Sequence, residues 1–271
     1  MRNPSRPTIT FVQVSVATGQ GAGLSNEDFV IAENGVVVVL DGVSQWYTTE
    51  SGCYHGTVWY VTNLGTRLAR HASGTEPLHS AIGAAIAEVA ALHENTCDLA
   101  HPWSPAATVA VLRDGAEVDY AVLADCVVVL ETAHGTEVHT DERLARLGER
   151  AARPDADEEL LRHASTGYHG LRNVPGGYWV ASADPAAGDQ AVTGSVPREA
   201  LHRAALLTDG ASCLVETYRA MDWTRLLDLC ASAGPAEAIE EVRRLERADP
   251  HRERWPRGKQ HDDATIAFCR R

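Results

Sequence analysis

Four apolar runs in this chain are each bordered by an aspartate, and that pattern limits the possible folds more than any other feature. Val36-Val37-Val38-Val39-Leu40 runs into Asp41, Tyr120-Ala121-Val122-Leu123-Ala124 into Asp125, and Ala204-Ala205-Leu206-Leu207-Thr208 into Asp209. Asp262-Asp263 opens the fourth run, Ala264-Thr265-Ile266-Ala267-Phe268. Runs of this length and composition read as buried strands. If the strands are neighbours in a sheet, their carboxylates converge. Converging carboxylates repel, and withdrawing them from water together raises their pKa values unless a cation neutralises them. Oxygen-only ligands suit Mg²⁺, Mn²⁺ or Ca²⁺ rather than zinc or copper. A pair of such ions is a common device for phosphoryl transfer, because it activates water and clamps phosphate oxygens. A single Asp-Gly at a strand end is only a turn, and Asp114-Gly115 is read that way, between two strands that need a hairpin. Only the four together point to a metal site.

The remaining text supplies the layers around those strands. Apolar residues recur every three or four positions over 50–72, 77–95, 223–233 and 235–248, which predicts helices. Short strands are predicted over 9–17, 29–32 and 36–40, the last two joined at Asn34-Gly35, and over 107–113, 118–123 and 127–131. Residues 132–196 are less periodic and richer in Arg, Asp, Gly and Pro, which marks an insertion or flap with short helices near 141–152 and 157–163. Strand pairs interleaved with helix pairs argue an α+β fold with largely antiparallel sheets. One domain over residues 1–271 is expected, with the flap at about 132–196.

Bulk properties narrow the function. Apolar residues make up 44% of the 271 and charged residues 23%, an ordinary globular balance. The formal net charge of −13 disfavours nucleic acid as a partner. No stretch has the length and apolarity of a signal peptide or membrane span, so a cytoplasmic protein without membrane partners is expected. The six cysteines form no C-x-x-C pair, so buried reduced thiols are expected and a structural zinc site is not.

These residues resemble the metal-dependent protein phosphatase family, type 2C, in its compact bacterial form. Asn26-Glu27-Asp28 resembles its early acidic motif, Val39-Leu40-Asp41-Gly42-Val43 its metal-bridging strand, and Leu206-Leu207-Thr208-Asp209-Gly210 its later "SDG" strand. Asp262-Asp263-Ala264-Thr265 resembles the terminal "DNxT" motif, and Ala124-Asp125-Cys126 stands in the place of "GDS". The likeness runs in order from about Thr10 to Cys269. It implies a four-layer αββα sandwich, two antiparallel sheets flanked by helix pairs, with a mobile flap that touches substrate. It implies two Mg²⁺ or Mn²⁺ ions bridged by Asp41, with the Gly42 carbonyl as a further ligand. Asp209 and Asp262 would bind the first ion, Asp28 (or Glu27 through water) would lie near the second, and Asp125 would help hold a third. Asp41 and Asp209 would thereby be catalytic, through a metal-activated water that attacks phosphorus without a phosphoenzyme. His55, after the Asp41 loop, is a candidate to protonate the leaving alcohol.

The sequence also departs from that family. Gly23 stands where many bacterial members carry an arginine that grips phosphate, and no arginine lies between Arg6 and Arg67. Arg172 in the flap is then the candidate to grip phosphate. Ser104-Pro105-Ala106-Ala107-Thr108 replaces the usual "GST", and Cys126 and Val127 replace serine and arginine. Trp46 and Trp179 are candidate substrate contacts. The expected partner is a phosphorylated protein, a phosphoserine or phosphothreonine substrate. Two alternatives are a small phosphorylated metabolite, suggested by Gly23 and the aromatic residues, and a catalytically silent member acting as a regulatory binding partner.

Overall fold

The structure is a computed structural model and describes residues 13–43 and 50–271. Its strands are β1 (Gln13–Gly19), β2 (Phe29–Glu33), β3 (Val36–Gly42), β4 (Ala107–Asp114), β5 (Glu117–Leu123), β6 (Val127–Thr132), β7 (Gly135–His139), β8 (Val192–Pro197), β9 (Leu201–Leu207) and β10 (Ala264–Arg270). Its helices are α1 (Gly56–Ala72), α2 (Leu78–His93), α3 (Arg143–Ala151), α4 (Glu158–Ser165), α5 (Asp209–Glu216), α6 (Trp223–Ala233) and α7 (Pro235–Ala248).

The strands form two antiparallel sheets of five, in the orders β1-β10-β9-β6-β7 and β2-β3-β4-β5-β8. The two-residue period of a strand explains how they stack. Val36, Val38 and Leu40 point outward into a core shared with Leu64, Leu68, Ile82 and Ile86 of α1 and α2. Val37 and Val39 point inward, where they meet Val128, Leu130, Ala204 and Leu206 of the opposite sheet. On the far side Val127, Val129, Ala205 and Leu207 pack against Leu214, Leu226 and Val242 of α5, α6 and α7. The result is helix, sheet, sheet, helix. Strands apolar on both faces are what a two-sided burial requires, so Val36–Leu40 reads as an unbroken run rather than an alternating one.

The predicted helices and central strands occur at their expected places. Two features of the 132–196 stretch were not expected. Its ends form the edge strands β7 and β8, one on each sheet. Their sequences, GTEVH and VTGSVP, are polar because an edge strand is half exposed, and so they lack the apolar signature used to find the others. Between them α3 and α4 cover a small core in which Leu147 and Leu160 meet Ala106, Ala124, Tyr178 and Val180. The third unexpected element, α5, is eight residues long, too short to show a period.

A carboxylate cleft between the two sheets

The strand ends do converge. Asp41 lies in β3 opposite Thr108 of β4. Asp28 precedes β2 in the same sheet. Asp209 opens α5 directly after β9, and Asp262 and Asp263 precede β10, which pairs with β9 through Ile266 and Leu207. Asp125 sits where the chain crosses from β5 in one sheet to β6 in the other. Carboxylates from both sheets therefore face one cleft. A cavity of about 400 Å³ there is lined by Asp41, Asp125, Asp209 and Asp262, with Lys259 and flap residues 164–167 and 169.

The backbone is shaped for close approach. A Cβ on Gly42 would stand 2.4 Å from the Thr57 methyl group and 2.7 Å from the Glu27 carbonyl oxygen. A Cβ on Gly210 would stand 1.9 Å from the Asp263 carbonyl oxygen. Glycine after Asp41 and Asp209 is thus required by packing. Asp263 does not line the cavity and fastens its rim. Its carboxylate accepts hydrogen bonds from the Gly21 and Glu27 amides, each at 2.7 Å. Arg243 donates to the Asp262 carbonyl at 2.6 Å and to that of Gly19 at 3.0 Å, fixing the same loop.

The electrostatics are those of a site short of positive charge. Burial, then the charges of Asp209 and Asp28, push Asp41 well above the usual carboxylate range, and Asp41 and Asp209 are hydrogen-bonded neighbours. Burial pushes Asp28 up to about 8 against hydrogen bonds from Thr265 and Thr208. Burial and then Asp209 push Asp125 up to about 7. Asp262 is raised by the same two causes. Asp28 Oδ2 accepts from Thr208 at 3.0 Å, while its buried Oδ1 has no hydrogen-bond donor. An acceptor left bare in a ring of oxygen ligands fits a divalent cation, and the donor set fits Mg²⁺ or Mn²⁺.

Lys259 was missed in the sequence, although it is the only lysine of the chain and stands three residues before a strand-mouth aspartate. Its ammonium lies 2.5 Å from Asp262. Against the desolvation that opposes it, Asp262, with Asp41 and Asp209 behind it, holds Lys259 above its ordinary value. His169 of the flap also lines the cavity, and nothing in its local sequence flagged it. Burial and the charge of Arg172 push it down to about 4, so its ring is neutral at pH 7. Cys126 lies beneath the carboxylates with its sulfur 2.9 Å from the Thr108 hydroxyl. Burial and Asp41 push its thiol far up, which leaves it protonated and without nucleophilic character.

Three expectations need correction. His55 does not line the cleft. It stacks on Trp59 at 4.2 Å and lies within 3.5 Å of two cysteine sulfurs. Arg172 does not line it either. Its guanidinium donates to the Ser104 carbonyl at 3.1 Å and clips the flap to the loop before β4. Trp179 packs against the α1 and α2 core and borders a separate groove with Arg143, Arg146 and Arg150. Trp46, the remaining aromatic candidate, lies outside the described residues.

The order helix, sheet, sheet, helix is a fold shared with solved type 2C-like serine/threonine phosphatases. The sequence matches no family model, and no curated protein matches it. Solved structures match in fold. The catalytic domain of the serine/threonine protein phosphatase PstP, in complex with two manganese ions, is 15% identical, with 95% of this chain and 97% of that chain covered and a TM-score of 0.56. The phosphatase MsPP from Mycobacterium smegmatis, in complex with cacodylate, is 16% identical over 96% and 98%, with a TM-score of 0.57. The serine/threonine phosphatase Stp1 from Staphylococcus aureus is 13% identical over 96% and 94%, with a TM-score of 0.58. Among the described residues, no helix is long and apolar enough to cross a membrane.

Proposed function

We propose that this chain is a metal-dependent phosphatase that hydrolyses phosphoserine and phosphothreonine in proteins, with residues 1–271 acting as one domain in the cytoplasm. The observation that carries the reading is that carboxylates from both sheets gather at one place: Asp41, Asp125, Asp209 and Asp262 line the cavity, and Asp28 lies within electrostatic reach of Asp41 and Asp209. Asp28, Asp41, Asp209, Asp262 and the Gly42 carbonyl would hold the Mg²⁺ or Mn²⁺ ions. Asp125 would extend the set to a third ion. When bound, the ions supply Lewis acidity that makes water a nucleophile at neutral pH and offsets charge on the phosphoryl oxygens.

The chain's own residues have distinct tasks. Asp41 and Asp209, hydrogen-bonded neighbours, orient the ligand set. Lys259 supplies the positive charge that Gly23 does not, and holds a phosphoryl oxygen in the cleft. His169 is neutral at pH 7 and so serves as a hydrogen-bonding partner on the flap rather than as an acid. No histidine is then needed to protonate the leaving alcohol, which can take its proton from water. The phosphorylated-protein substrate is supported by what PstP and Stp1 are named for. Trp179 faces another groove and so does not favour a metabolite in this cleft.

The test is hydrolysis of p-nitrophenyl phosphate and of a phosphothreonine peptide by the full chain with Mn²⁺, Mg²⁺ or neither. Turnover that requires the metal and disappears in Asp209→Asn is expected. A folded protein that turns over neither compound with any divalent ion would sink the proposal.

A further inference from the structure

A second ligand set, of different chemistry, lies where α1 begins and α2 ends. The Cys53 sulfur is 3.5 Å from His55 Nδ1 and 3.5 Å from His93 Nδ1. The Cys97 sulfur is 3.3 Å from that of Cys53 and 3.4 Å from His55 Nδ1. All four donor atoms lie within 4.8 Å of one another, and among the described residues no other such group occurs. In a tetrahedral zinc site, bonds of about 2.3 Å to sulfur and about 2.0–2.1 Å to nitrogen set the ligand atoms roughly 3.3–3.8 Å apart. The three sulfur–nitrogen separations, 3.4–3.5 Å, are those of a zinc shell, and the sulfurs, at 3.3 Å, would part to about 3.8 Å on binding the ion. The sulfurs are also too far apart for a disulfide, whose bond is about 2.05 Å.

We propose that Cys53, His55, His93 and Cys97 bind one Zn²⁺ in a closed structural site that ties the start of α1 to the end of α2. Thiolate and imidazole select zinc, as carboxylates select Mg²⁺ or Mn²⁺ in the cleft, so the two sites need not compete for one ion. Four protein ligands leave no position for water, so this ion holds structure and performs no hydrolysis.

The local backbone is built for the site. Gly52 and Gly56 both adopt left-handed φ, +70° and +77°, at the two corners of the Cys53-Tyr54-His55 segment. Between them Cys53 and His55 turn inward while Tyr54 is 76% exposed. On the other side the Cys97 amide donates to the His93 carbonyl at 2.9 Å, which brings residue 97 back over His93, four positions earlier. The Asp98 amide donates to the Gly52 carbonyl at 2.8 Å and joins the two ligand-bearing segments. His93 is buried at the end of α2, and the Trp59 ring lies over His55.

The site has a consequence for the cleft. Thr57, two residues beyond His55, is the residue whose methyl group fills the space beside Gly42. Zinc therefore holds the first turn of α1 against the strand end that carries Asp41.

The test uses the full chain, expressed with zinc and purified under reducing conditions. One zinc per chain by elemental analysis after desalting is expected. Replacement by Co²⁺ should give the thiolate charge-transfer and tetrahedral d–d bands of a two-sulfur, two-nitrogen site. Cys53→Ser combined with Cys97→Ser should lose both signals, whereas Asp209→Asn should keep both. Wild-type protein without zinc that also shows no cobalt bands when titrated with CoCl₂ would overturn the proposal. So would a Cys53–Cys97 disulfide in protein purified under reducing conditions. Both readings come from the wild type and do not depend on a variant folding.

Discussion

The carboxylate cleft and the Cys/His cluster lie on the two sides of α1's first turn, and they are opposites as ligand sets. In the cleft, hard oxygen donors come from both sheets and are spread around a cavity of about 400 Å³. In the cluster, two sulfurs and two nitrogens from two helix ends are drawn within 4.8 Å. A spread, charged set resists being left empty, and this one raises its own pKa values and draws in Lys259 to compensate. A contracted, neutral set can stand without its ion. The first arrangement suits ions that exchange and react, and the second suits an ion that stays.

The largest expected effects come from breaking one side and reading the other. Asp209→Asn should lower metal-dependent hydrolysis by about 10²–10³-fold, the scale of removing one well-placed electrostatic partner from a transition state. Its zinc content should stay at wild type, and its thermal midpoint without Mn²⁺ should not fall, because a neutral amide relieves the charge that raises Asp41, Asp28, Asp125 and Asp262. Cys97→Ser should do the reverse. Zinc held at about 1,000 times its Kd stabilises the fold by about 4 kcal/mol. Its loss should drop the midpoint in scanning calorimetry by roughly 8–16 °C. Hydrolysis by the surviving folded fraction should fall less than in Asp209→Asn. Equal damage to both readouts in either variant would show that the sites are not separate.

The contrast also explains what could be read in advance. Asp41, Asp125, Asp209 and Asp262 were legible because each borders an apolar strand, and strand ends in a sandwich gather at its edges. The four layers were legible because the helix and strand periods differ. The zinc ligands were not. Their spacings, one residue between Cys53 and His55 and three between His93 and Cys97, contain no C-x-x-C, and nothing local says that the two pairs meet. Only the antiparallel packing of α1 on α2 brings them together. His55 shows the same limit, since its place after the Asp41 strand pointed to the cleft while its ring turned to the sulfurs. Lys259 was overlooked because a single cation carries no periodic signal.

Lys259 gives the next effect in size. Lys259→Met should raise KM for a phosphorylated substrate about tenfold, or about 1.4 kcal/mol of lost binding, with kcat little changed. The alternative role is a placeholder charge on Asp262. In that case KM would hold and Mn²⁺ would bind more tightly in calorimetry. The split between KM and metal affinity decides it.

A pH series sharpens the electrostatic half of the comparison. Asp28 at about 8 and Asp125 at about 7 both lie above their ordinary value of 3.8. Raised carboxylates hold protons in the folded state that the unfolded chain has released. Their contribution is therefore complete below about pH 4 and is lost as pH climbs through 7 and 8. Without added Mn²⁺ the thermal midpoint should fall between pH 5 and pH 8. With Mn²⁺ it should be nearly level, because the cation replaces the protons. The Cys/His cluster should contribute no such slope while zinc is bound.

The smallest effect concerns the backbone of the two sites. At the Cys/His cluster the left-handed corners, Gly52 and Gly56, are glycine. In the cleft the corner before Asp125 is Ala124, held at φ +63° with its side chain packed under Leu147 and Leu160 of the flap. An alanine there carries about 1–2 kcal/mol of left-handed strain. Glycine removes the strain and adds roughly 0.5–1 kcal/mol of chain entropy to the unfolded state. It also takes one methyl group from beneath the flap, which costs about 0.8 kcal/mol if the group is fully buried. These terms nearly cancel, so Ala124→Gly should leave stability within about 1 kcal/mol of wild type by urea unfolding. The methyl group's value lies in the flap. Losing it should loosen α3 and α4 and speed amide hydrogen exchange there, while exchange in α1 and α2 stays as it was. Faster exchange throughout would mean that Ala124 supports the whole fold, and the flap would then not be the separable cover that its small core suggests.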